Sequence, residues 1–191
     1  MHEDIERVLF SERAIWTGID RVAHEVCETL GDGELTVVSV LKGSFVFAAD
    51  LVRRLPIPLE LAFVWASSYG SGTEPSMIDL HFMPEGPEVE GRRLLLVDDI
   101  LDTGRTLARV HGELMDRNAR EVRTCVFLDK PTRRQIPFEA DFRVFEVEDL
   151  FVVGYGLDFD GRYRNLPYVG TLRRFGGGSG ASEAGARAGR P

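Results

Sequence analysis

Two adjacent carboxylates, Asp98 and Asp99, directly follow an apolar run and precede a turn rich in threonine and glycine at residues 102–106. A helical pattern begins at the end of that turn, so the turn lies at a predicted helix N-terminus. Free backbone N–H groups and the helix dipole favour a bound anion at such a position. The segment 94–106 therefore predicts an anion site beside a pair of acids.

The side chains of the turn favour phosphate as the anion. Thr103 and Thr106 supply hydroxyl donors, and Gly104 permits a ligand to approach the backbone closely. Asp98 and Asp99 repel a phosphate, but they suit vicinal ribose hydroxyls, from which they accept hydrogen bonds. An acid pair at a strand end is often only a capping or solubility feature; here the whole string fits a ribose 5-phosphate, with its phosphate on the helix and its diol on the acids.

The elements that position these residues alternate between helix and strand periods along the chain. Buried strands separated by helices imply right-handed crossovers and a parallel sheet with helices on both faces. Ligands of such sheets bind at the carboxyl ends of the strands. The predicted helices are 11–30 (capped by Ser11), 45–55 and 106–118, and the predicted strands are 35–41, 59–66, 77–83, 93–97, 122–128 and 151–155.

Composition narrows the class of protein. The chain has 191 residues, enough for one domain with a sizeable core, and its net charge of -8 argues against general binding to nucleic acid or acidic membranes. Its 2 cysteines form no motif and predict reduced thiols in a cytoplasmic protein. The acidic N-terminus does not look like a signal peptide, and no apolar run is long enough to span a membrane.

Other loops at predicted strand ends carry a family resemblance. In order they read LKGS at 41–44, SSYGSG at 67–72, DKP at 129–131, FVVGYGLD at 151–158 and YRNLP at 163–167. Together with LLLVDDILDTGRT at 94–106, this order resembles the type I phosphoribosyltransferases, and most of all the bacterial hypoxanthine-guanine phosphoribosyltransferases. The likeness runs from the first helix to about residue 168.

The resemblance implies an α/β fold of the type I phosphoribosyltransferase kind, with a parallel central sheet flanked by helices and a small hood from the terminal segments. Residues 1–175 would form this domain. Residues 176–191 are dominated by glycine, alanine and serine, which predicts a disordered tail without a catalytic role.

The resemblance also assigns residues to phosphoribosyl pyrophosphate. Lys42 and the Gly43 backbone would hold the pyrophosphate, in a loop that the family often builds with a non-proline cis peptide. Mg²⁺ would be bound by Asp158 together with Asp98 and Asp99. The remaining residues implied to contact or cover this substrate are Ser68 and Tyr69 in a mobile lid, Asp98 and Asp99 at the ribose, Thr103, Gly104, Arg105 and Thr106 at the 5-phosphate, and Arg164 at the pyrophosphate.

A second set of residues is implied to bind a 6-oxopurine. Lys130 would donate to the 6-oxo group, Phe151 would stack on the base, and the Val152 backbone would meet its edge. Asp102 is the implied catalytic residue, placed to take the proton from purine N7. This chain departs from many relatives at two positions: Arg105 replaces a lysine, and Leu150 replaces a lysine near the base.

The reaction implied is purine salvage: transfer of the phosphoribosyl group to N9 of hypoxanthine or guanine, giving IMP or GMP and pyrophosphate, with assembly as a homodimer or homotetramer. A preference for xanthine is an alternative. An RNA-binding regulator on the same fold is disfavoured because such regulators lack an acid at the position of Asp102. A phosphoacceptor receiver domain is disfavoured because its acid pair lies near the start of the chain.

Removal of residues 176–191 should change neither the melting temperature nor the activity appreciably. The tail has no apolar periodicity, so it has no face to bury. Thermal unfolding and steady-state assays of the full chain and of a chain ending at residue 175 test this. A fall of several degrees in the melting temperature of the shortened chain would show that the tail packs on the domain.

Overall fold

The computed structural model describes residues 2–69 and 77–173, which form two sheets and three helices. The predicted boundary at residue 175 lies outside these residues. The strands are β1 Ile5–Phe10, β2 Leu35–Leu41, β3 Leu59–Tyr69, β4 Met77–Phe82, β5 Arg93–Leu101, β6 Glu121–Asp129, β7 Phe142–Glu146, β8 Val152–Val153 and β9 Val169–Leu172. The helices are α1 Glu12–Leu30, α2 Phe45–Val52 and α3 Arg105–Asp116.

The central sheet has six strands in the order β4-β3-β2-β5-β6-β7. All neighbours in it are parallel except β3 and β4, which pair antiparallel. The prediction of a parallel sheet is therefore confirmed for the predicted strands β2, β3, β5 and β6. It is wrong for β8, which pairs antiparallel with β9 in the other sheet, and it is wrong for β4, which runs antiparallel to β3. The reason is the short connection, since only residues 70–76 separate the two strands and a parallel neighbour requires a crossover of a dozen or more residues.

The strand order reverses between β2 and β5, which lie side by side in the centre. From β2 the chain passes through α2 to β3 on one side, and from β5 it passes through α3 to β6 on the other. The two connections therefore diverge at the carboxyl ends of β2 and β5. Such a switch point leaves a crevice in which ligands of open α/β sheets bind.

Alternate residues of the buried strands face two separate cores. Val37 and Leu95 belong to the core beneath α1 and α2, and their neighbours Val38 and Leu96 belong to the core beneath α3. This explains why the central strands read as continuous apolar runs instead of alternating patterns. With both faces covered, the sheet is rigid up to the point where its loops begin.

Helix α1 follows the predicted cap and ends at Leu30 as predicted, whereas α3 begins one residue earlier and ends two residues earlier than predicted. The Ser11 side chain accepts a hydrogen bond from the Ala14 backbone N–H at 3.3 Å, as expected of an N-cap. Helix α2 ends at Val52, three residues before the predicted end, because the chain tightens into a turn in which the Arg54 N–H donates to the Leu51 carbonyl at 2.9 Å.

Three strand ends differ from the prediction by two residues or more. Strand β3 continues past residue 66 to Tyr69, because residues 67–69 still pair with β4. Strand β5 continues past Val97 to Leu101, because Ile100 and Leu101 still pair with β6, so the two acids lie within the strand. Strand β8 is only Val152–Val153, because Tyr155 has a φ of 52° and leaves the extended conformation.

The hood is a three-stranded sheet in the order β1-β9-β8, with Ile5, Val153 and Leu172 as its core. A hood from the terminal segments was expected from the family resemblance, but β1, β7 and β9 were not predicted as strands. Within residues 2–69 and 77–173, no helix has the length and apolarity needed to cross a membrane.

Candidate active site

A cavity of about 550 Å³ opens at the carboxyl ends of β2 and β5. This volume lies within the range of roughly 300–1,000 Å³ typical of small-molecule sites. It gathers the loop after β2, the end of β5, the turn before α3 and the segment after β8. The predicted site residues that line it are Lys42, Gly43, Asp98, Asp99, Asp102, Thr103, Gly104, Arg105, Thr106, Asp158 and Arg164.

The loop after β2 lies between the Asp99 side chain and the backbone of the segment after β8. The Leu41–Lys42 peptide bond is cis, as the family resemblance implies. A Cβ atom on Gly43 would lie 1.6 Å from Asp99 Oδ2, and a Cβ atom on Gly156 would lie 2.1 Å from the Gly43 carbonyl oxygen. Glycine is therefore required at both positions for these segments to approach one another.

Of the two neighbouring acids Asp98 is buried and Asp99 is half-buried, and their negative charges repel each other. The Asp99 backbone N–H donates to Asp98 Oδ1 at 2.9 Å, and Asp98 is only 6% exposed. Burial raises the pKa of Asp98 well above its ordinary value, and the charge of Asp99 raises this pKa further. Burial also raises the pKa of Asp99, while a hydrogen bond with Asp98 and the charge of Arg164 lower it in part.

Arg164 connects the acids to the segment after β8. Its guanidinium donates to the Gly156 carbonyl at 2.5 Å and forms an ion pair with Asp158 Oδ1 at 2.6 Å. Its charge also acts on Asp99. A single arginine therefore faces two carboxylates at the mouth of the cavity, beside the Gly43 backbone that Gly156 approaches.

The turn at residues 102–106 leads into α3, which starts at Arg105. Within the turn the Arg105 backbone N–H donates weakly to Thr103 Oγ1 at 3.4 Å. The first helical N–H groups have no partner within a helix, so this end of α3 offers donors to an anion. This is the turn at which the sequence predicts the phosphate site.

The predicted base-binding residues form a second group next to the cavity. Lys130 is buried, and its Nζ donates to the Leu150 carbonyl at 2.7 Å, directly before Phe151. Burial lowers the pKa of Lys130, whereas the charges of Asp102 and Asp149 raise it. Phe151 is 43% exposed and meets Phe159 edge-to-face, with ring centroids 5.5 Å apart.

Asp102 lies between the two groups. It lines the cavity, its charge acts on Lys130, and its Oδ1 lies 3.1 Å from Arg133 Nε. Arg133 also approaches Asp149 Oδ2 at 3.6 Å. The carboxylate that the resemblance implies as catalytic is therefore held by one ion pair at the junction of the phosphate turn and the base-binding group.

Three predicted positions lie apart from these contacts. Val152 is buried in the core beneath α1 and α2, which leaves only its backbone for a base. Ser68 and Tyr69 lie at the end of β3, where their backbones pair with Ile78 and Met77. The rest of the predicted lid, 70–72, lies outside the described residues.

Sequence reasoning missed Arg133, Arg134 and Gly156 as parts of the site. Arg133 and Arg134 follow the DKP segment by a few residues and have no motif of their own, so only the folded chain places them near Asp102. A compositional signal was available for the lysines. The chain has 23 lysines and arginines together, but its only lysines are Lys42 and Lys130, and both lie in the candidate site.

Comparisons with known proteins agree with this geometry. A family model described as the phosphoribosyl transferase domain matches residues 9–160. The chain is 40% identical over 173 residues to the hypoxanthine-guanine phosphoribosyltransferase of Bacillus subtilis, covering 91% of this chain and 96% of that protein. A solved structure of hypoxanthine phosphoribosyltransferase from Trypanosoma cruzi, in complex with the product IMP, is similar with a TM-score of 0.82 at 36% identity, covering 91% of this chain and 97% of that one.

A longer relative matches over part of its length. The bifunctional protein TilS/HprT of Listeria innocua is 42% identical over 173 residues, and 91% of this chain is covered. This chain spans 27% of the length of that protein.

The raised pKa of Asp98 predicts a pH-dependent stability. A carboxyl group whose pKa is raised on folding contributes stability below its ordinary value of 3.8, and this contribution is lost as the pH rises through the folded-state pKa. The free energy of unfolding of the wild type should therefore fall, relative to that of Asp98→Asn, as the pH rises above about 4 and through the folded-state pKa of Asp98. Urea unfolding in the presence of a chelator measures both curves.

The matched control is Asp116→Asn, at an exposed carboxylate at the end of α3. Its stability should follow the wild type across the same range. If Asp98→Asn also runs parallel to the wild type, the acid pair is not repulsive in the free protein.

Proposed function

Since the chain belongs to the phosphoribosyl transferase domain family, we propose that it transfers the 5-phosphoribosyl group from phosphoribosyl pyrophosphate to N9 of hypoxanthine and guanine. The observation that carries this proposal is the convergence on one cavity of the acid pair, the turn before α3, Lys42 and Arg164. Phosphate, diol and pyrophosphate each then meet a group of suitable chemistry. The products are IMP or GMP, and pyrophosphate.

In the proposed reaction the bond from ribose C1 to the pyrophosphate oxygen breaks ahead of attack by N9, so positive charge develops on the ribose. Lys42 and Arg164 stabilise the negative charge on the departing pyrophosphate. Asp98 and Asp99 orient the ribose through its hydroxyls. As the N9–C1 bond forms, N7 gives its proton to Asp102, which stays within the cavity wall beside Lys130.

The residues present fit a magnesium ion. Asp98, Asp99 and Asp158 line the same cavity, and the raised pKa of the buried Asp98 indicates a carboxylate that gains from a neighbouring cation. In the described part of the chain no group of three or more His, Cys, Asp or Glu side chains is arranged to hold a metal ion. Mg²⁺ commonly combines one or two carboxylates with substrate phosphates and water, so these acids would supply only part of its coordination. Bound there, Mg²⁺ would neutralise pyrophosphate charge.

We further propose the 6-oxopurines as the bases. The Lys130 ammonium has donors only, so it complements an oxo group and opposes the amino group of adenine. An RNA-binding role has less support, because Asp102 is present and the net charge is -8. A xanthine-preferring enzyme remains the second candidate, since Lys130 reads the 6-oxo group that xanthine shares. A cytoplasmic location is supported by the cysteines, which are both free thiols.

We propose that the active form is a homodimer or homotetramer. Along β3 the side chains of Leu61, Phe63 and Trp65 share one exposed face, and Trp65 is paired with Phe82, which is 56% exposed. Segments 70–76 and 174–191 contain a single large apolar side chain, at Phe175. A second copy of the chain would supply an equally apolar surface.

The substrate assignment is tested with a panel of bases. With phosphoribosyl pyrophosphate and Mg²⁺, hypoxanthine and guanine should turn over, and adenine should be rejected by about 10⁴ or more in kcat/KM, because it leaves buried donors unpaired. Lys130→Gln should narrow this gap, since an amide both donates and accepts. Adenine turnover within about tenfold of hypoxanthine would overturn the assignment of Lys130. Xanthine as the preferred base would favour the second candidate.

Asp102→Asn should retain nucleotide binding and lose about 10²–10⁴-fold in the rate of the chemical step, because an amide keeps the shape but takes no proton. Single-turnover kinetics measure that step. Asp149→Asn is the control, because Asp149 faces the same Arg133 but lines no part of the cavity wall described above. An unchanged chemical step in Asp102→Asn removes Asp102 from the mechanism.

Light scattering coupled to gel filtration tests the assembly. The wild type should elute as a dimer or tetramer, and Phe63→Glu should shift it to the monomer by placing a charge in the apolar face. Trp16→Glu, at a side chain that is 49% exposed on α1, should leave the assembly unchanged. A monomeric wild type at micromolar concentrations contradicts the proposal.

A further inference from the structure

The turn after β6 donates hydrogen bonds to the backbone of the phosphate turn. The Arg134 guanidinium nitrogen Nη1 donates to the Leu101 carbonyl at 3.0 Å and also to the Asp102 carbonyl. The Gln135 backbone N–H donates to the Thr103 carbonyl at 3.0 Å. Three successive carbonyl groups are therefore held by two adjacent residues from another part of the chain.

A buried carboxylate orients the arginine. Arg134 Nη2 forms an ion pair with Asp129 Oδ1, and the exposed fractions of the two side chains are only 16% and 5%. The other oxygen of Asp129 lies 3.6 Å from Arg143. A planar guanidinium with five donors can meet a carboxylate with one nitrogen and several carbonyls with the other, whereas an ammonium cannot span them.

Holding these carbonyls has a consequence for the anion. The peptide units of this turn are planar and trans, so the N–H of the next residue points opposite to the carbonyl. We call the pair Arg134 and Gln135 the clamp. Because the carbonyls of residues 101–103 point to the clamp, the backbone N–H groups of residues 102–104 point away from it. Residues 102–104 line the cavity, so these N–H groups are available to a bound phosphate.

The same guanidinium nitrogen also contacts the Lys130 carbonyl at 3.4 Å. Lys130 is the residue that would read the base, and the Asp102 carbonyl belongs to the turn that would hold the phosphate. One side chain therefore joins the backbones of the two subsites. Their separation must match the fixed distance between the base and the 5-phosphate of a nucleotide.

We propose that Arg134 is a positioning residue that sets the phosphate turn and ties it to the base-reading Lys130, with Asp129 as its counter-ion. This inference rests on the proposed function for the identity of the ligands. Arg134 acts through the backbone and does not itself touch the reacting atoms. Replacement of Arg134 should therefore change substrate affinity and alignment without a comparable change in the stability of the fold.

Arg134→Lys tests whether the planar set of N–H donors on the guanidinium is required. Lysine keeps a positive charge beside Asp129, so the melting temperature should stay within a few degrees of the wild type, but it cannot serve the same set of carbonyls. The value of kcat/KM for phosphoribosyl pyrophosphate should fall about 10²-fold, mostly through KM, as expected when a binding group is displaced. Arg143→Lys, which alters the other contact of Asp129, should leave kcat/KM unchanged.

A second variant serves if Arg134→Lys does not fold. Gln135→Pro removes the N–H donor to the Thr103 carbonyl together with the glutamine side chain, and Arg134, with φ -60° and ψ 127°, already has an extended conformation that suits a residue before proline. It should weaken phosphate binding in the same direction. Wild-type kinetics in both Arg134→Lys and Gln135→Pro would overturn the clamp.

Calorimetric titration with ribose 5-phosphate separates this inference from the proposed function, because it requires no base and no turnover. The wild type should bind this probe, and Arg134→Lys should bind it at least about tenfold more weakly. If the wild type binds the probe but converts none of the bases, the proposed function fails and the clamp stands. Equal affinity in wild type and variant, or no binding by the wild type, overturns the clamp.

Discussion

The burial of two neighbouring carboxylates within a central strand is the constraint on which the site depends. Asp98 and Asp99 lie in β5 just past the last residue that pairs with β2, while β6 still pairs with Asp98, which is only 6% exposed. Such a pair is unfavourable by itself, because desolvation and mutual repulsion act together. The arginine at Arg164 relieves part of this cost, and a polyhydroxyl ligand with a divalent cation would relieve more. The free site therefore has an unfavourable electrostatic free energy, which the binding of such a ligand would reduce.

The same constraint explains the glycines and the loop geometry around the acids. Asp99 can be approached by the Gly43 backbone only because no Cβ intervenes, and Gly156 brings a third segment to the same place. The switch point between β2 and β5 makes this convergence possible, since neighbouring loops there diverge to opposite faces of the sheet. The fold therefore shapes the site through the close backbone approaches at Gly43 and Gly156. Side-chain substitutions elsewhere in the chain would leave these approaches intact.

Much of this arrangement could be predicted from the chain. The strand, acid pair and turn of residues 94–106 are contiguous, so their relation is local and the sequence pattern is sufficient. The short connection 70–76 was sufficient to predict that β4 runs antiparallel to β3. The alternating pattern of β4 alone does not indicate the direction of the strand. Arg133 and Arg134 could not be assigned, because their partners are about thirty residues distant and a surface arginine has the same local pattern.

The chain contains only two lysines, so it has few sites for reagents that react with amines. Amine-acylating reagents have three kinds of target in this chain: the terminal amine, Lys42 and Lys130. Burial lowers the pKa of Lys130, so a larger fraction of that amine is neutral and nucleophilic at a given pH, while its exposure to reagent is small. The extent of acylation at the two lysines would therefore depend on how accessible the site is to the reagent. Mass spectrometry of the acylated protein could then show whether the site is occupied, without any label introduced by mutation.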